Sequence, residues 1–359
     1  MITAARPAKK DLRALEGITL DGRYLLERFV AEGGFGAVYK ALDQQTDGDV
    51  AVKVLKAPEG VDAADELQHF FDRFTLEAKV LAKISHPVVV QVAEFGTTKL
   101  PSGAGVAFIA LEWIDGETLE AALTRRRDHG GRSPAEALTL LRPIFEAMQA
   151  AHALGIAHRD LKPANFIIER ATQCIRLPDF GIAKAMQPDE VAGSGASRTT
   201  SFNFTFSPRY AAPEQLSGAR TGPWTDVHAL GLLLTEVLTD RPAYAAADLI
   251  NLYTEALNPK RPTPGKRGVD VGSWEEHIDR ALSLRPDDRF ANAGEFLAAL
   301  ESHKATAPEA SPAVATPVAA SLMPVAPVRD SRGGRAVALA VGLLVALVVV
   351  VAFAMRSRG

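Results

Sequence analysis

The first third of the chain alternates short apolar runs with turn signals. RYLLERFV is followed by AEGGFG, AVYKALD, TDGD and VAVKVLK, a rhythm that predicts three antiparallel strands, the second turn carrying Asp47-Gly48. Phe70 to Ile84 changes period: Phe71, Phe74, Ala78 and Leu81 fall on one face of a helix. Two further strand-like runs are expected near Val88–Val92 and Val106–Leu111. After Gly116 the spacing turns helical, in segments from Ser133 to Leu154, Thr225 to Leu238 and Phe290 to Leu300. A β-rich part followed by a helix-rich part predicts an α+β fold of two lobes with a cleft between them.

The end of the chain follows a different pattern. Ala336 to Met355 holds no charged or strongly polar residue over 20 positions, and a helix of that length reaches roughly 30 Å, the thickness of a bilayer's hydrocarbon. A core helix would show a polar face, so a transmembrane helix is expected. Before it, 13 of the 27 residues from 304 to 330 are Ala or Pro, a composition that favours an extended linker. The expected organisation is an N-terminal extension (1–21), a folded domain (22–303), a juxtamembrane linker (304–335), the span (336–355) and a short tail (356–359). Arg329, Arg332 and Arg335 precede the span and Arg356 and Arg358 follow it, a bias that places the folded domain in the cytoplasm. Arg6, Lys9, Lys10 and Arg13 are not followed by an apolar run, so no signal peptide is expected. The reading is a single-pass protein of the cytoplasmic (inner) membrane, with the lipid bilayer among its partners.

Composition narrows the function classes. The formal net charge of −3 over 359 residues gives no electrostatic reason to expect nucleic-acid binding. The single cysteine, Cys174, excludes an internal disulfide and a multi-thiolate zinc cage, and is expected to be buried.

The chemistry concentrates in a few motifs. In AEGGFGAV, from Ala31 to Val38, glycines allow backbone N–H groups to approach a phosphate, although a hairpin turn accounts for the same residues. Lys53, in VAVK, can bind phosphate as a point charge from a neighbouring strand. Glu77 is either an exposed helix charge or the partner of Lys53; the residues leave both readings open. His158-Arg159-Asp160-Leu161-Lys162-Pro163-Ala164-Asn165 places a carboxylate, an ammonium group and an amide oxygen in one loop, with Asp179-Phe180-Gly181 a further 19 residues beyond Asp160. Phosphoryl transfer needs such a carboxylate near the incoming hydroxyl, oxygen ligands for Mg²⁺ and a cation near the moving group.

Here the chain resembles the eukaryotic-like serine/threonine protein kinases of bacteria, over about residues 22–300. The likeness extends to Ser207-Pro208-Arg209-Tyr210-Ala211-Ala212-Pro213-Glu214, to Asp226-Val227-His228-Ala229-Leu230-Gly231 and to Arg289 in RPDDRF. The resemblance implies a bilobal kinase fold using ATP and Mg²⁺, with Mn²⁺ as an alternative ion, and acting on protein substrates. It implies that Lys53 contacts the α and β phosphates and pairs with Glu77, that Asp160 takes the substrate's proton beside Lys162, and that Asn165 and Asp179 hold the metal. The nucleotide would lie against Val30, Ala31, Glu32, Gly33, Gly34, Phe35, Gly36, Ala37, Val38 and Ala51, with hinge contacts from Glu112 to Ile114 and Leu111 as gatekeeper. Ser207, Pro208, Arg209 and Tyr210 would dock substrate, while Glu214, Asp226 and Arg289 would be structural. Arg159 would pair with phosphate on the activation segment, where Thr199, Thr200, Ser201 and Thr205 are candidates for autophosphorylation. A homodimer is among the partners implied.

Four residues depart from the family pattern: Ala31 for the first loop glycine, Pro178 before Asp179, Phe206 for the glycine before the docking residue that Ser207 replaces, and Trp113 in the hinge. Two other functions compete with an active kinase. Ala31 and Pro178 motivate a membrane-tethered pseudokinase acting as an interaction module; a small-molecule phosphotransferase of related fold is the other.

Overall fold

A computed structural model describes residues 12–33, 36–55, 72, 79, 83–101, 103, 105–127, 129–178, 207–246 and 248–302. The N-terminal lobe is an antiparallel sheet of β1 (Thr19–Leu20), β2 (Tyr24–Gly33), β3 (Gly36–Asp43), β4 (Gly48–Leu55), β5 (Val92–Lys99) and β6 (Gly105–Glu112), in the order β1-β2-β3-β4-β6-β5. The expected hairpin at Asp47-Gly48 is present, with Asp47 in the left-handed region at φ 54° and Asp43 opposite Gly48.

Alternation gives this sheet two faces with different duties. Val50, Val52 and Val54 join Val106, Phe108 and Ala110 in one core, which also buries Leu12 and Leu15. Ala51 and Leu55 join Ala107, Ile109 and Leu111 in the core shared with the helical lobe. Lys53, between Ala51 and Leu55, therefore sits on the face turned toward the second lobe, where period-two geometry must place it. The chain before β1 belongs to this lobe from Leu12 onward, because the Tyr39 hydroxyl donates to Leu12 O and Leu15 N–H reaches the same hydroxyl at 3.4 Å.

Two elements differ from the sequence reading. Val88–Val90 is not the start of a strand; these buried valines pair with Leu177 across the lobes, Val90 N–H donating to Leu177 O at 3.0 Å and Leu177 N–H to Val88 O at 2.7 Å. Their apolar character comes from that crossing, while β5 begins at Val92 in a segment half open to solvent. Of the helix expected over 70–84, Asp72 and Lys79 are helical, Lys83 and Ile84 are not, and the other positions, Glu77 included, lie outside the described residues.

The second lobe follows a short sheet of β7 (Gly116–Thr118), β8 (Ile167–Glu169) and β9 (Ile175–Arg176), in that order. Helix α1 (Leu119–Arg126) is capped by Thr118 Oγ1, which accepts Ala121 N–H at 3.1 Å. Helix α2 (Pro134–Ala153) begins with a capping box: Glu136 N–H donates to Ser133 Oγ, and Ser133 N–H to the Glu136 carboxylate. After α3 (Pro213–Ser217) comes α4 (Pro223–Thr239), every residue of which from Thr225 to Leu238 is buried, making it the central post of the lobe. Helix α5 (Leu249–Ala256) adds Leu252 and Ala256 to the core, while α6 (Trp274–Ala281) and α7 (Ala293–Ser302) pack against α4. The last starts three residues later than Phe290, which is buried ahead of it and stacks on Phe296 at 5.1 Å.

Cys174 is exposed, contrary to expectation, because it lies in the tight turn joining β8 to β9, where its N–H donates to Thr172 Oγ1. Among the described residues no helix is long and apolar enough to cross a membrane; residues 336–355 lie outside them.

Candidate active site

The loop between α2 and β8 carries the HRDLKPAN run, and its shape is imposed from below. Asp226, fully buried near the start of α4, accepts His158 N–H and Arg159 N–H at 2.7 Å each. Arg159 is thereby held at φ 64°, a left-handed conformation that costs a non-glycine residue about 1–3 kcal/mol. Gln215 adds a clamp, donating from Nε2 to Arg159 O at 2.9 Å. His152 completes the base: Ala293 N–H donates to its Nδ1, so Nε2 carries the proton and donates to Asp226 at 2.9 Å. Burial pushes the Asp226 carboxyl up, but the His152 hydrogen bond, the neighbouring histidines and His158 N–H together hold it below the usual carboxylate range.

Above that base, three side chains converge. Asp160 Oδ1 accepts Ser207 N–H at 3.1 Å, and Lys162 Nζ lies 3.3 Å from Asp160 Oδ2 while donating to Ser207 Oγ at 2.7 Å. Asn165, in the turn Pro163–Asn165, donates from Nδ2 to Asp160 O at 2.8 Å. That leaves its Oδ1, a hard oxygen donor of the kind Mg²⁺ takes, while Asp179, the other expected ligand, lies outside the described residues. Among the described residues no cluster of three or more His, Cys, Asp or Glu forms a metal cage.

Toward the sheet, Lys53 pairs in register with Val38 and Ile109, and Ala51 with Leu111. Val30 falls in a β-bulge, where the β2–β3 register jumps between Phe29 and Ala31; it is 42% exposed. Ala31 pairs with Val38 as an ordinary strand residue, and Glu32 with Ala37. Gly33 faces Gly36, and only the latter lacks room for a side chain: a Cβ there would lie 2.1 Å from Val54 O. In the hinge, Glu112 pairs with Arg176 at 2.7 Å, Ile114 is buried, and Trp113 has Arg28 and Lys40 about 6 Å from its ring centre. Pro178 follows directly on Leu177, whose own N–H and C=O make the bonds to Val88 and Val90. Gly34, Phe35, Glu77, Asp179, Thr199, Thr200, Ser201 and Thr205 lie outside the described residues.

The strip after Ser207 is anchored by residues that sequence reasoning missed. Pro208–Tyr210 forms a single tight turn; Arg209 donates to Tyr244 O at 2.9 Å, and the Tyr210 hydroxyl to Glu236 at 2.5 Å. Burial pushes both Tyr210 and Glu236 up. A lone glutamate in the otherwise apolar LLLTEVL stretch of α4 was the available signal. Behind the strip, Arg289 grips Glu214 with two bonds of 2.8 and 2.9 Å, and Thr225 adds a third to Glu214.

The chain matches the family model described as the protein kinase domain over residues 24–284. It belongs to the protein kinase family. Serine/threonine-protein kinase PknA of Mycobacterium tuberculosis is 33% identical over 290 residues, covering 80% of this chain and 63% of PknA. PknB of Mycolicibacterium smegmatis is 32% identical over 316 residues, covering 88% of this chain and 48% of PknB. The chain thus spans roughly half to two thirds of these relatives. The crystal structure of the Mycobacterium tuberculosis PknI kinase domain is 26% identical with a TM-score of 0.57, covering 80% of this chain and 98% of that domain. The bilobal kinase fold expected from the sequence is the observed one.

Proposed function

We propose that this chain is a serine/threonine protein kinase that transfers the γ-phosphoryl group of ATP to hydroxyls on protein substrates and on itself. The observation that carries this reading is the seating of Asp160, with one carboxylate oxygen on Ser207 N–H and the other beside the Lys162 ammonium. A substrate hydroxyl brought against Asp160 gives its proton to that carboxylate as its oxygen bonds to the γ-phosphorus and the bond to the leaving ADP oxygen breaks. Lys162 offsets charge on the group in transit, and Lys53, with Glu77 as its partner, orients the α and β phosphates. Mg²⁺, or Mn²⁺ in its place, would be held by Asn165 and Asp179 and would neutralise phosphate charge.

The LKPAN form of the loop and the names of PknA and PknB support serine and threonine as acceptors. Two features that motivated the pseudokinase alternative carry little weight in the fold. Ala31 sits in a strand without a positive φ, and with Pro178 in place Leu177 still makes both of its bonds to Val88 and Val90. The Ala31 and Pro178 departures therefore favour altered affinity over lost chemistry.

The finer parts of the reading extend the same proposal. Residues 336–355 anchor the kinase in the cytoplasmic membrane, and phosphate on the segment holding Thr199, Thr200, Ser201 and Thr205 pairs with Arg159 to order the docking strip; dimer formation would bring two such segments together.

The test is direct. The full chain, incubated with Mg²⁺ and ATP labelled at the γ-phosphate, should label itself and a generic protein substrate. Asp160→Asn should lower turnover about 10²–10⁴-fold with nucleotide binding kept. Undiminished labelling by the purified variant would remove Asp160 from the mechanism, and no labelling by wild type under any divalent ion would favour the interaction module.

A further inference from the structure

Away from the catalytic loop, a cleft of about 360 Å³ opens between the end of α1, the connection to α2 and the β8–β9 turn. It is lined by Glu117, Arg125, Arg126, His129, Arg132 and Gln173, together with two apolar side chains. Its position is built into the fold. Arg132 N–H donates to Val237 O at 3.0 Å, and Gly131 lies so close to the end of α4 that a Cβ would fall 1.7 Å from Leu238 O. His129 folds back on α1, its Nδ1 against Arg126 O and Arg127 O at 3.1 and 3.2 Å.

The charges in this cleft do not balance. Arg125 is taken by Glu117 through both carboxylate oxygens. Arg126 and Arg132 form no ion pair among the described residues, and Arg126 Nε and Arg132 Nη1 are buried without a hydrogen-bond partner. The other carboxylates nearby do not take them: Glu136 is held by the Ser133 backbone and hydroxyl, and Asp240 acts on Arg132 as a charge without pairing to it. Burial first, and then the charge of Arg126, lower the proton affinity of Arg132. Two guanidinium groups drawn together and partly desolvated are unfavourable unless an anion joins them. Three arginines against one glutamate leave the lining itself two positive charges in excess; Glu136 and Asp240, outside it, act on Arg132 and reduce that excess without taking its donors, so an oxyanion that reaches the forks supplies the missing acceptors.

We propose that this cleft binds a phosphate monoester, presented as a phosphorylated serine or threonine of a protein chain. The planar donor forks of Arg126 and Arg132 match phosphate oxygens. The choice of phosphoserine or phosphothreonine as the source rests on the kinase reading, since these are that reaction's products; the excess of cationic donors does not.

The test uses the full chain without ATP and a fluorescent peptide of residues 194–205, made with and without phosphate on Thr200. Anisotropy should show the phosphopeptide binding at least ten-fold more tightly, and Arg126→Gln/Arg132→Gln should erase that preference. Phosphotransfer to a generic unphosphorylated substrate should stay within two-fold of wild type, so failure of this site and failure of the kinase reading give different results. Should the double glutamine variant melt early, Arg126→Lys/Arg132→Lys keeps the charge and removes the forks, and should lose at least three-fold of the preference. Equal binding of the two peptides, an unchanged preference in the variants, or inorganic phosphate competing as strongly as the phosphopeptide would each overturn the proposal.

Discussion

Asp226 holds Arg159 in a backbone conformation that Arg159 would not choose. Both oxygens of the buried carboxylate accept backbone N–H groups, one from Arg159 and one from His158, each at 2.7 Å. The helix post thereby sets the direction in which Asp160, the next residue, leaves the loop.

Asp226→Asn should therefore reduce both stability and turnover. The amide keeps one acceptor and adds a donor facing N–H groups, leaving a buried mismatch worth about 1–3 kcal/mol. The pH dependence has a definite sign. A carboxyl held below its unfolded value contributes stability that is present above that value and lost as pH falls through the folded one. Wild type should lose stability below about pH 4, and urea midpoints of the variant should fall less steeply there. Parallel acid profiles for the two proteins would contradict the assignment.

The Glu214–Arg289 pair is buried on both sides and fully hydrogen-bonded, so removing one partner strands the other. Glu214→Gln or Arg289→Ala should each destabilise the fold by about 3–5 kcal/mol. Arg289→Lys should recover little, because a single ammonium cannot replace two parallel bonds or reach Ser283 O and Leu284 O together. The double variant should lose less than the two singles combined. Additive losses in urea denaturation would mean that the two residues act independently.

His228 makes stability depend on mildly acidic pH. Burial, then the charges of Arg289 and Arg261, hold its ring well below the ordinary value of 6.5. Its Nε2 accepts from Arg261 at 3.0 Å, so the folded protein keeps it neutral while the unfolded chain takes up a proton. Stability then falls as pH drops below about 6.5, by up to ~1.4 kcal/mol per unit from this residue. His228→Gln retains an acceptor for Arg261 and should flatten the profile between about pH 7 and 5; an unchanged slope would count against it.

On the proposed anchoring by residues 336–355, removing residues 336–359 should move the protein from the membrane fraction to the soluble one without altering the melting of the folded domain. Fractionation after a high-salt wash reads the first effect and thermal denaturation the second. Persistent membrane association would point to another anchor, and a lowered melting temperature would mean that the segment packs on the domain.

Phosphate acquired during incubation with ATP should map by mass spectrometry to residues 194–205. Thr199→Ala/Thr200→Ala should lower activity toward a protein substrate, since the Arg159 pairing would be lost. Full activity in protein free of phosphate throughout that window would refute the switch and leave the kinase reading in place.

The sequence by itself determined the family, the strand and helix periods and the loop residues proposed for catalysis, because these are local: a period of two or 3.6, or a run such as HRDLKPAN, is complete within a few neighbouring positions. It could not assign Val88–Val90, whose apolar character serves a contact with Leu177 nearly 90 positions away. Nor did it find His152, Gln215 or Glu236, each of which acts on a residue from another element. Cys174 shows the converse, a residue of usually buried type that a tight turn leaves in solvent. Only the tertiary structure decided those roles, because the burial and hydrogen bonding of a polar side chain depend on what the folded chain brings against it, and that information is not held in the residues beside it.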